Sequence, residues 1–160
     1  MALRNIITDP DSRLRKISRP VKEITPHIIT LLDDMAETMK QAEGVGLAAP
    51  QVGVLRRVVV IDVGEGLIEL INPEIISQSG KQKGPEACLS VEDRKGLVER
   101  PNKVTVKALD REGNERIIEG EGLLARCLCH EIDHLDGILY IDKMEREMEL
   151  DEEYEENEEA

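Results

Sequence analysis

The pattern of apolar and polar positions predicts two helices separated by a run of strands. Thr25 and Pro26 suit an N-cap and a first helical position, and apolar residues follow them at helical spacing. These residues are Ile28, Leu31, Leu32, Met35 and Met39. The first helix should therefore end near Ala42. A second helix is predicted from about Gly120 to His134, with Gly137 just past its end.

Between the helices the pattern is typical of β-strands, because β-branched residues cluster or alternate with period two. The predicted strands are residues 57–63, 67–76, 103–107, 115–119 and 138–141. Residues 110–114 resemble a hairpin turn. The order of helix, strands, helix and final strand predicts an α+β domain with antiparallel sheet, and not a doubly wound α/β fold.

Composition and charge restrict the classes of function. The chain has 160 residues, which suits one domain, and a net charge of −13. Residues 145–160 hold ten acidic residues against one arginine, so we expect a folded domain over 1–144 and an acidic, disordered tail over 145–160. A contact with a basic partner is the alternative interpretation of this tail. So acidic a chain, with only two aromatic residues, is not expected to bind DNA or RNA directly.

The cysteines indicate a reducing compartment. There are three, Cys88, Cys127 and Cys129, and two of them are separated by a single residue. The first residues contain no apolar leader, and no apolar stretch approaches the roughly 20 residues of a membrane span. We therefore expect a cytoplasmic protein without membrane association. In that setting a cysteine is more often a ligand or nucleophile than half of a disulfide.

The strongest local motif is H-E-x-x-H at residues 130–134, inside the second predicted helix. Because each helical residue turns by about 100°, His130 and His134 point the same way and can chelate one metal ion. Glu131 lies one step around, where it can exchange protons with a water whose pKa the ion lowers toward 7. The same string occurs by chance on surface helices, but here Leu123 and Cys127 share the face of the histidines. Their presence favours a buried metal site.

Spacing alone leaves the third ligand open. The extended metallopeptidase motif would place a histidine where this chain has Tyr140, so an acidic residue farther along would be the ligand in that case. Cys88 is the alternative, since a thiolate would complete a Cys-His-His set with one position open to water, as in catalytic zinc sites. The ordinary interpretation of a free cysteine is a small buried residue that only packs.

Three separated segments together resemble the peptide deformylase family. Residues 44–53, GVGLAAPQVG, match the first motif of the family, and residues 86–90, EACLS, match the second with one change. Residues 130–137, HEIDHLDG, match the third. The motifs occur in the family's order at similar spacing, and the resemblance covers residues 1–144.

The resemblance implies a metal site and the roles of the residues around it. The metal ligands would be Cys88, His130 and His134. The ion is commonly ferrous iron in this family, and zinc, nickel or cobalt can substitute. Glu131 would be the general acid and base. The side-chain amide of Gln51 and the backbone N–H of Leu89 would stabilise the oxyanion that forms at the formyl carbon.

The resemblance also implies a fold and a substrate. Antiparallel sheets would pack around a central metal-binding helix, with a further helix near the N-terminus. The backbone of Val45 and Gly46 would line the cleft, and Leu123 and Cys127 would help to form the methionine pocket. The substrate would be an N-formylmethionyl nascent peptide and the products formate and a free amino terminus. An association with the ribosome could not use the acidic end, unlike the basic C-terminal helix of some members.

Two positions depart from the family pattern. Ala87 replaces the usual glycine beside Cys88, at a cost of about 1 kcal/mol if the backbone there requires a positive φ. Cys129 replaces the usual glutamine before His130, and helical geometry points it away from the metal. Two other hypotheses are a different small H-E-x-x-H metallopeptidase and a non-enzymatic metal-binding or interaction module.

Overall fold

Two helices and two antiparallel sheets make up residues 2–155, the part of the chain that the computed structural model describes. The helices are α1, Pro26–Gln41, and α2, Leu123–Leu135. The strands are β1 (Gly46–Ala48), β2 (Val58–Ile61), β3 (Ile68–Ser79), β4 (Gln82–Cys88), β5 (Val91–Arg100), β6 (Lys103–Leu109), β7 (Glu115–Glu121) and β8 (Arg146–Met148). Short 3-10 helices span Ser12–Arg15, Ala49–Val52 and Tyr140–Asp142.

The larger sheet has the order β1-β2-β3-β6-β7 and is covered by a helix on each face. Val59 and Ile61 of β2 pack with α2, whereas Val58 and Val60 pack with α1. All four residues are 0% exposed, which explains why β2 is apolar at every position and does not alternate.

The smaller sheet has the order β4-β5-β8 and lies on the other side of α2. Arg126 of α2 donates hydrogen bonds to the carbonyl oxygens of Gly84 in β4 and Val98 in β5. Helix α2 is therefore central, between the two sheets. The predicted α+β class with antiparallel sheets, a central helix and an N-terminal helix is confirmed.

Three local predictions differ from the structure. Helix α2 begins at Leu123 and not at Gly120, because β7 continues to Glu121 and Gly122 then turns the chain with a φ of 61°. Residues 138–141 do not form a strand. Asp142 accepts a hydrogen bond from the backbone N–H of Leu139 and donates its own to the Leu139 carbonyl, so this segment closes on itself as a 3-10 turn.

The third difference concerns the start of the predicted tail. Strand β8 pairs with β5 in the register Lys95↔Met148, and Met148 is buried. Glu147 adds an ion pair with Arg94, so disorder does not begin at residue 145. The part of the prediction that concerns residues 156–160 lies outside the described residues. Neither helix of the described chain is long and apolar enough to span a membrane.

Candidate metal and active site

Cys88, His130 and His134 converge in the structure. The cysteine sulfur and one nitrogen of each histidine ring all lie within 4.8 Å of one another. Cys88 Sγ lies 3.3 Å from His134 Nε2. Helix α2 supplies the two histidines from successive turns, and the end of β4 supplies the cysteine. One thiolate and two imidazoles form a donor set that suits zinc, iron, cobalt or nickel.

One backbone N–H group and one side-chain amide point toward the sulfur of Cys88. The β4–β5 register shifts between Glu86 and Cys88, and a tight turn through Leu89 and Ser90 follows. The Ser90 N–H lies 3.4 Å from Cys88 Sγ, and Gln51 Nε2 lies 3.6 Å from it. Both N–H groups can therefore hydrogen-bond to the Cys88 sulfur.

Gln51 is held in one orientation by its own motif. The side chain is 1% exposed, and its Oε1 accepts a hydrogen bond of 3.0 Å from the backbone N–H of Ala48. Its NH₂ group must therefore point the other way, where Nε2 donates to Ser90 Oγ at 3.1 Å. The 3-10 turn Ala49–Val52 places the Gln51 side chain so that it points back to Ala48 at the end of β1.

Glu131 lies in a tight space beside β1. A Cβ atom at Gly46 would come within 2.5 Å of Glu131 Oε2, so only glycine leaves room for this carboxyl group. Glu131 is 5% exposed, and its Oε1 has no hydrogen-bond partner among the described residues. Burial raises the pKa of Glu131 to about 7, more than the nearby His130 lowers it. A carboxyl group with that pKa can both take and give a proton near neutral pH.

His130 is oriented by a buried ionic network that the sequence analysis missed. Its Nδ1 lies 2.8 Å from Glu86 Oε1, which leaves Nε2 available to bind a metal. Glu86 also accepts hydrogen bonds from Arg100, at 2.8 and 2.9 Å, and from Arg126, at 2.5 Å. Burial raises the pKa of Glu86, but the hydrogen bonds from Arg100 and His130 outweigh it, so the pKa lies well below its usual value. Arg100 is joined to Asp133 as well, at 2.7 Å.

The two histidines differ in electrostatic environment. Burial lowers the pKa of His134 well below its usual value, which keeps the imidazole in the neutral form that binds metals. Burial also lowers the pKa of His130, but Cys88, Glu131 and Glu86 together raise it well above the usual range. The negative potential that attracts a proton to His130 would attract a metal cation in the same way. The residues thus fit a bound divalent ion.

A cleft of about 370 Å³ opens on this site. The sequence-predicted residues that line it, besides Cys88, His130 and Glu131, are Val45, Gly46, Gln51, Leu89, Leu123 and Cys127. Val45 and Leu123 are 46% and 55% exposed and form an apolar rim. Cys127 is buried deeper, and burial raises the pKa of its thiol to about 12, so it presents a neutral, apolar wall.

Neither of the two departures from the family pattern is one of the three converging ligand residues. Ala87 is exposed in β4, and the positive-φ non-glycine residues of the described chain are Glu43, Asn72 and Asp93. Ala87 therefore does not carry the strain that a positive φ would impose. Cys129 packs into the core between α2 and the larger sheet, away from the ligand atoms, as predicted.

Comparisons with known proteins agree with this geometry. Residues 3–149 match the family described as polypeptide deformylase. A peptide deformylase of Thermoanaerobacter pseudethanolicus is 64% identical over 143 residues, which are 89% of this chain and 90% of that protein. One of Caldanaerobacter subterraneus is 61% identical over 152 residues, 95% of this chain and 96% of that protein.

Solved structures of peptide deformylases also match the fold of this chain. The crystal structure of a peptide deformylase from Legionella pneumophila has a TM-score of 0.86 at 50% identity, and covers 89% of this chain and 86% of its own. The peptide deformylase from Thermotoga maritima has a TM-score of 0.88 at 38% identity, with 90% of this chain and 99% of its own covered.

The chain therefore belongs to the polypeptide deformylase family. It is a metal-dependent hydrolase of protein biosynthesis that removes the N-formyl group from formylmethionyl nascent peptides. The resemblance noted in the sequence is confirmed, and a different small metallopeptidase is not favoured.

Proposed function

We propose that this chain hydrolyses the formyl amide with one divalent ion held by Cys88, His130 and His134. The observation that carries the proposal is the approach of the three ligand atoms to within 4.8 Å of one another beside a cleft. Ferrous iron is the proposed native ion because of the resemblance to the family, and the donor set also accepts zinc, nickel or cobalt. We place the reaction in the cytoplasm, where reducing conditions preserve a thiolate ligand.

Glu131 is the proposed general acid and base. When bound, the ion would activate a water molecule and polarise the formyl oxygen. Glu131 accepts the proton that the attacking water loses and donates it to the departing amine nitrogen. Its pKa of about 7 suits both steps, and its unpaired Oε1 leaves an oxygen available for them.

Gln51 and Leu89 are the proposed oxyanion stabilisers. The Gln51 side chain is oriented by the Ala48 hydrogen bond before substrate arrives. Its NH₂ group would exchange its contact with Ser90 Oγ or Cys88 Sγ for one with the oxyanion. The Leu89 N–H belongs to the turn that also directs the Ser90 N–H at Cys88. Each such fixed donor contributes roughly 3 kcal/mol to stabilisation of the transition state.

The substrate is proposed to bind as an extended strand. β1 and β4 are edge strands of the two sheets, and residues from both line the cleft. A peptide added there can pair with the backbone of Val45 and Gly46. Its methionine side chain would then reach the apolar wall formed by Leu123 and Cys127.

Anaerobic purification with ferrous iron, followed by an assay of formate release from a short N-formylmethionyl peptide, tests the proposal. The wild type should release formate, and Cys88→Ala should lose both the release and the bound iron. Cys129→Ala is the matched control, because it removes a buried thiol outside the ligand set and should keep the metal. A Cys88→Ala protein that retains its metal would contradict the ligand set and favour another third ligand.

A further inference from the structure

Glu43 occupies a conformation that favours glycine. It follows α1 with a φ of 58°, in the left-handed region. The Glu43 N–H donates to the Lys40 carbonyl at 3.1 Å, and the Gly44 N–H donates to the Met39 carbonyl at 3.0 Å. These two hydrogen bonds define a Schellman motif, in which glycine is the usual residue at the left-handed position.

Two terms disfavour glutamate at this position. A side chain in the left-handed region costs roughly 1 kcal/mol or more. A negative charge at the C-terminal end of a helix is also repelled by the helix dipole. Neither term is offset by a partner, since no hydrogen bond or ion pair of the Glu43 carboxylate is found among the described residues. Backbone strain that persists without local compensation is concentrated at functional sites.

Glu43 lies at the mouth of the substrate cleft. It is exposed, and it is the one exposed charged side chain among the described residues that line the cleft. The other charged residues there are buried, and Glu86 and Arg126 are bonded to each other. A cationic group on a bound peptide would therefore meet an exposed carboxylate at this end of the cleft.

The distance along the chain fixes which part of the substrate Glu43 can reach. Gly46 lies close to the Glu131 carboxyl group, and Glu43 precedes it by three residues. Because an extended backbone rises about 3.3 Å per residue, the backbone of Glu43 lies no more than roughly 10 Å from that of Gly46. A peptide paired along β1 would bring its second to fourth residues over that span.

We infer that Glu43 is a specificity-determining residue, which favours nascent peptides with a lysine or arginine within three residues after the formylmethionine. The inference rests on the proposed binding of the substrate along β1. The substrate preference that Glu43 provides would offset the stability that the fold loses through this residue.

The test measures kcat/KM for two amidated peptides, formyl-Met-Ala-Lys and formyl-Met-Ala-Gln, with the iron-loaded enzyme at low and high salt. The ratio of the two values defines the preference. In Glu43→Gln the preference should fall roughly two- to fivefold, as expected for one exposed ion pair. The loss should be in KM, and high salt should reduce the preference of the wild type. Formyl-Met-Lys and formyl-Met-Ala-Ala-Lys amides then locate the position that responds most.

Glu37→Gln is the matched control, because it removes the same charge from an exposed position of α1 outside the cleft. An unchanged preference in Glu43→Gln, or an equal fall in Glu37→Gln, would overturn the inference while leaving the proposed reaction intact. Absence of formate release from every peptide by the wild type would overturn both. As an independent readout, Glu43→Gly should raise the Tm by about 2–4 °C, because it relieves the backbone strain. No rise would refute the claimed cost.

Discussion

Two buried glutamates near His130 have opposite properties. Glu86 is hydrogen-bonded to Arg100, Arg126 and His130, and its pKa is lowered. Glu131 faces Gly46, its Oε1 has no hydrogen-bond partner among the described residues, and its pKa is raised to about 7. Both are about equally buried, at 6% and 5% exposure. The hydrogen-bond partners, and not the degree of burial, therefore account for the difference between the two pKa values. Glu86 stays charged and can orient His130, whereas Glu131 can exchange protons near neutral pH.

The largest expected effect is on Glu131, the proposed general acid and base. Glu131→Gln keeps the size of the side chain but removes the acid and base, so kcat should fall by roughly 10²–10⁴-fold. Metal content should be retained, because Glu131 is not one of the proposed ligands. Formate release and metal analysis of the same preparation measure both quantities. Activity near that of the wild type would rule out the proposed role.

Next in size is the effect on the orienting carboxylate. Glu86→Gln leaves the buried Arg100 and Arg126 short of their counter-charge, which should cost about 3–5 kcal/mol of the free energy of unfolding. Metal affinity should fall by roughly 10–100-fold, because His130 loses its orienting acceptor. Urea unfolding and competition with a chelator measure the two effects. Glu147→Gln, which breaks the exposed ion pair with Arg94, should change neither noticeably.

The pH dependence of metal-free stability separates the two glutamates by sign. The raised pKa of Glu131 favours its neutral form in the fold, so that contribution is complete below about 4.5 and is lost as pH rises toward about 7. The loss amounts to at most about 3 kcal/mol. The lowered pKa of Glu86 has the opposite sign: its contribution is present above about 4.5 and is lost as pH falls through the folded pKa.

Urea midpoints of the chelator-treated protein at pH 5 and pH 8 check this prediction. The wild type should lose more stability between the two values than Glu131→Gln does, since glutamine cannot ionise. An identical loss in both proteins would show that Glu131 titrates in the fold as it does in the unfolded chain.

The smallest expected effect tests the space in front of Glu131. In Gly46→Ala the new methyl group would overlap Glu131 Oε2, so the carboxyl group must move. Displacement of a proton carrier should lower kcat by about tenfold with the metal retained. A Gly46→Ala enzyme with full kcat would show that the carboxyl group moves without consequence. Loss of metal together with kcat would locate the damage at the ligands instead.

Sequence reasoning found what is encoded locally and missed what forms between distant segments. The spacing of His130 and His134 on a helix predicts their convergence, and Thr25-Pro26 predicts the start of α1. The Glu86–Arg100–Arg126 network joins β4, β5 and α2, and no local period reports such pairing. The sequence carries one signal of this network. Arg126 lies on the apolar side of α2, and a buried arginine requires a counter-charge.

The final strand was missed for a different physical reason. The high charge density of residues 145–160 predicts a solvated segment. In β8, however, Met148 is buried and the neighbouring Glu147 forms an ion pair with Arg94. Strand β8 has three residues, of which Met148 alone is buried, and it is joined to β5 by backbone pairing. Composition averaged over a tail does not detect a feature of that size.

The position of Cys88 would give a bound ion a mechanical role beside its chemical one. Cys88 ends a strand of the smaller sheet, whereas His130 and His134 belong to the helix that also packs on the larger sheet. An ion bound by all three would tie the two layers together, as a cross-link does, without a covalent bond between side chains. Resistance to heat should then follow the concentration of free metal by mass action, so that metal starvation weakens the fold and the activity together.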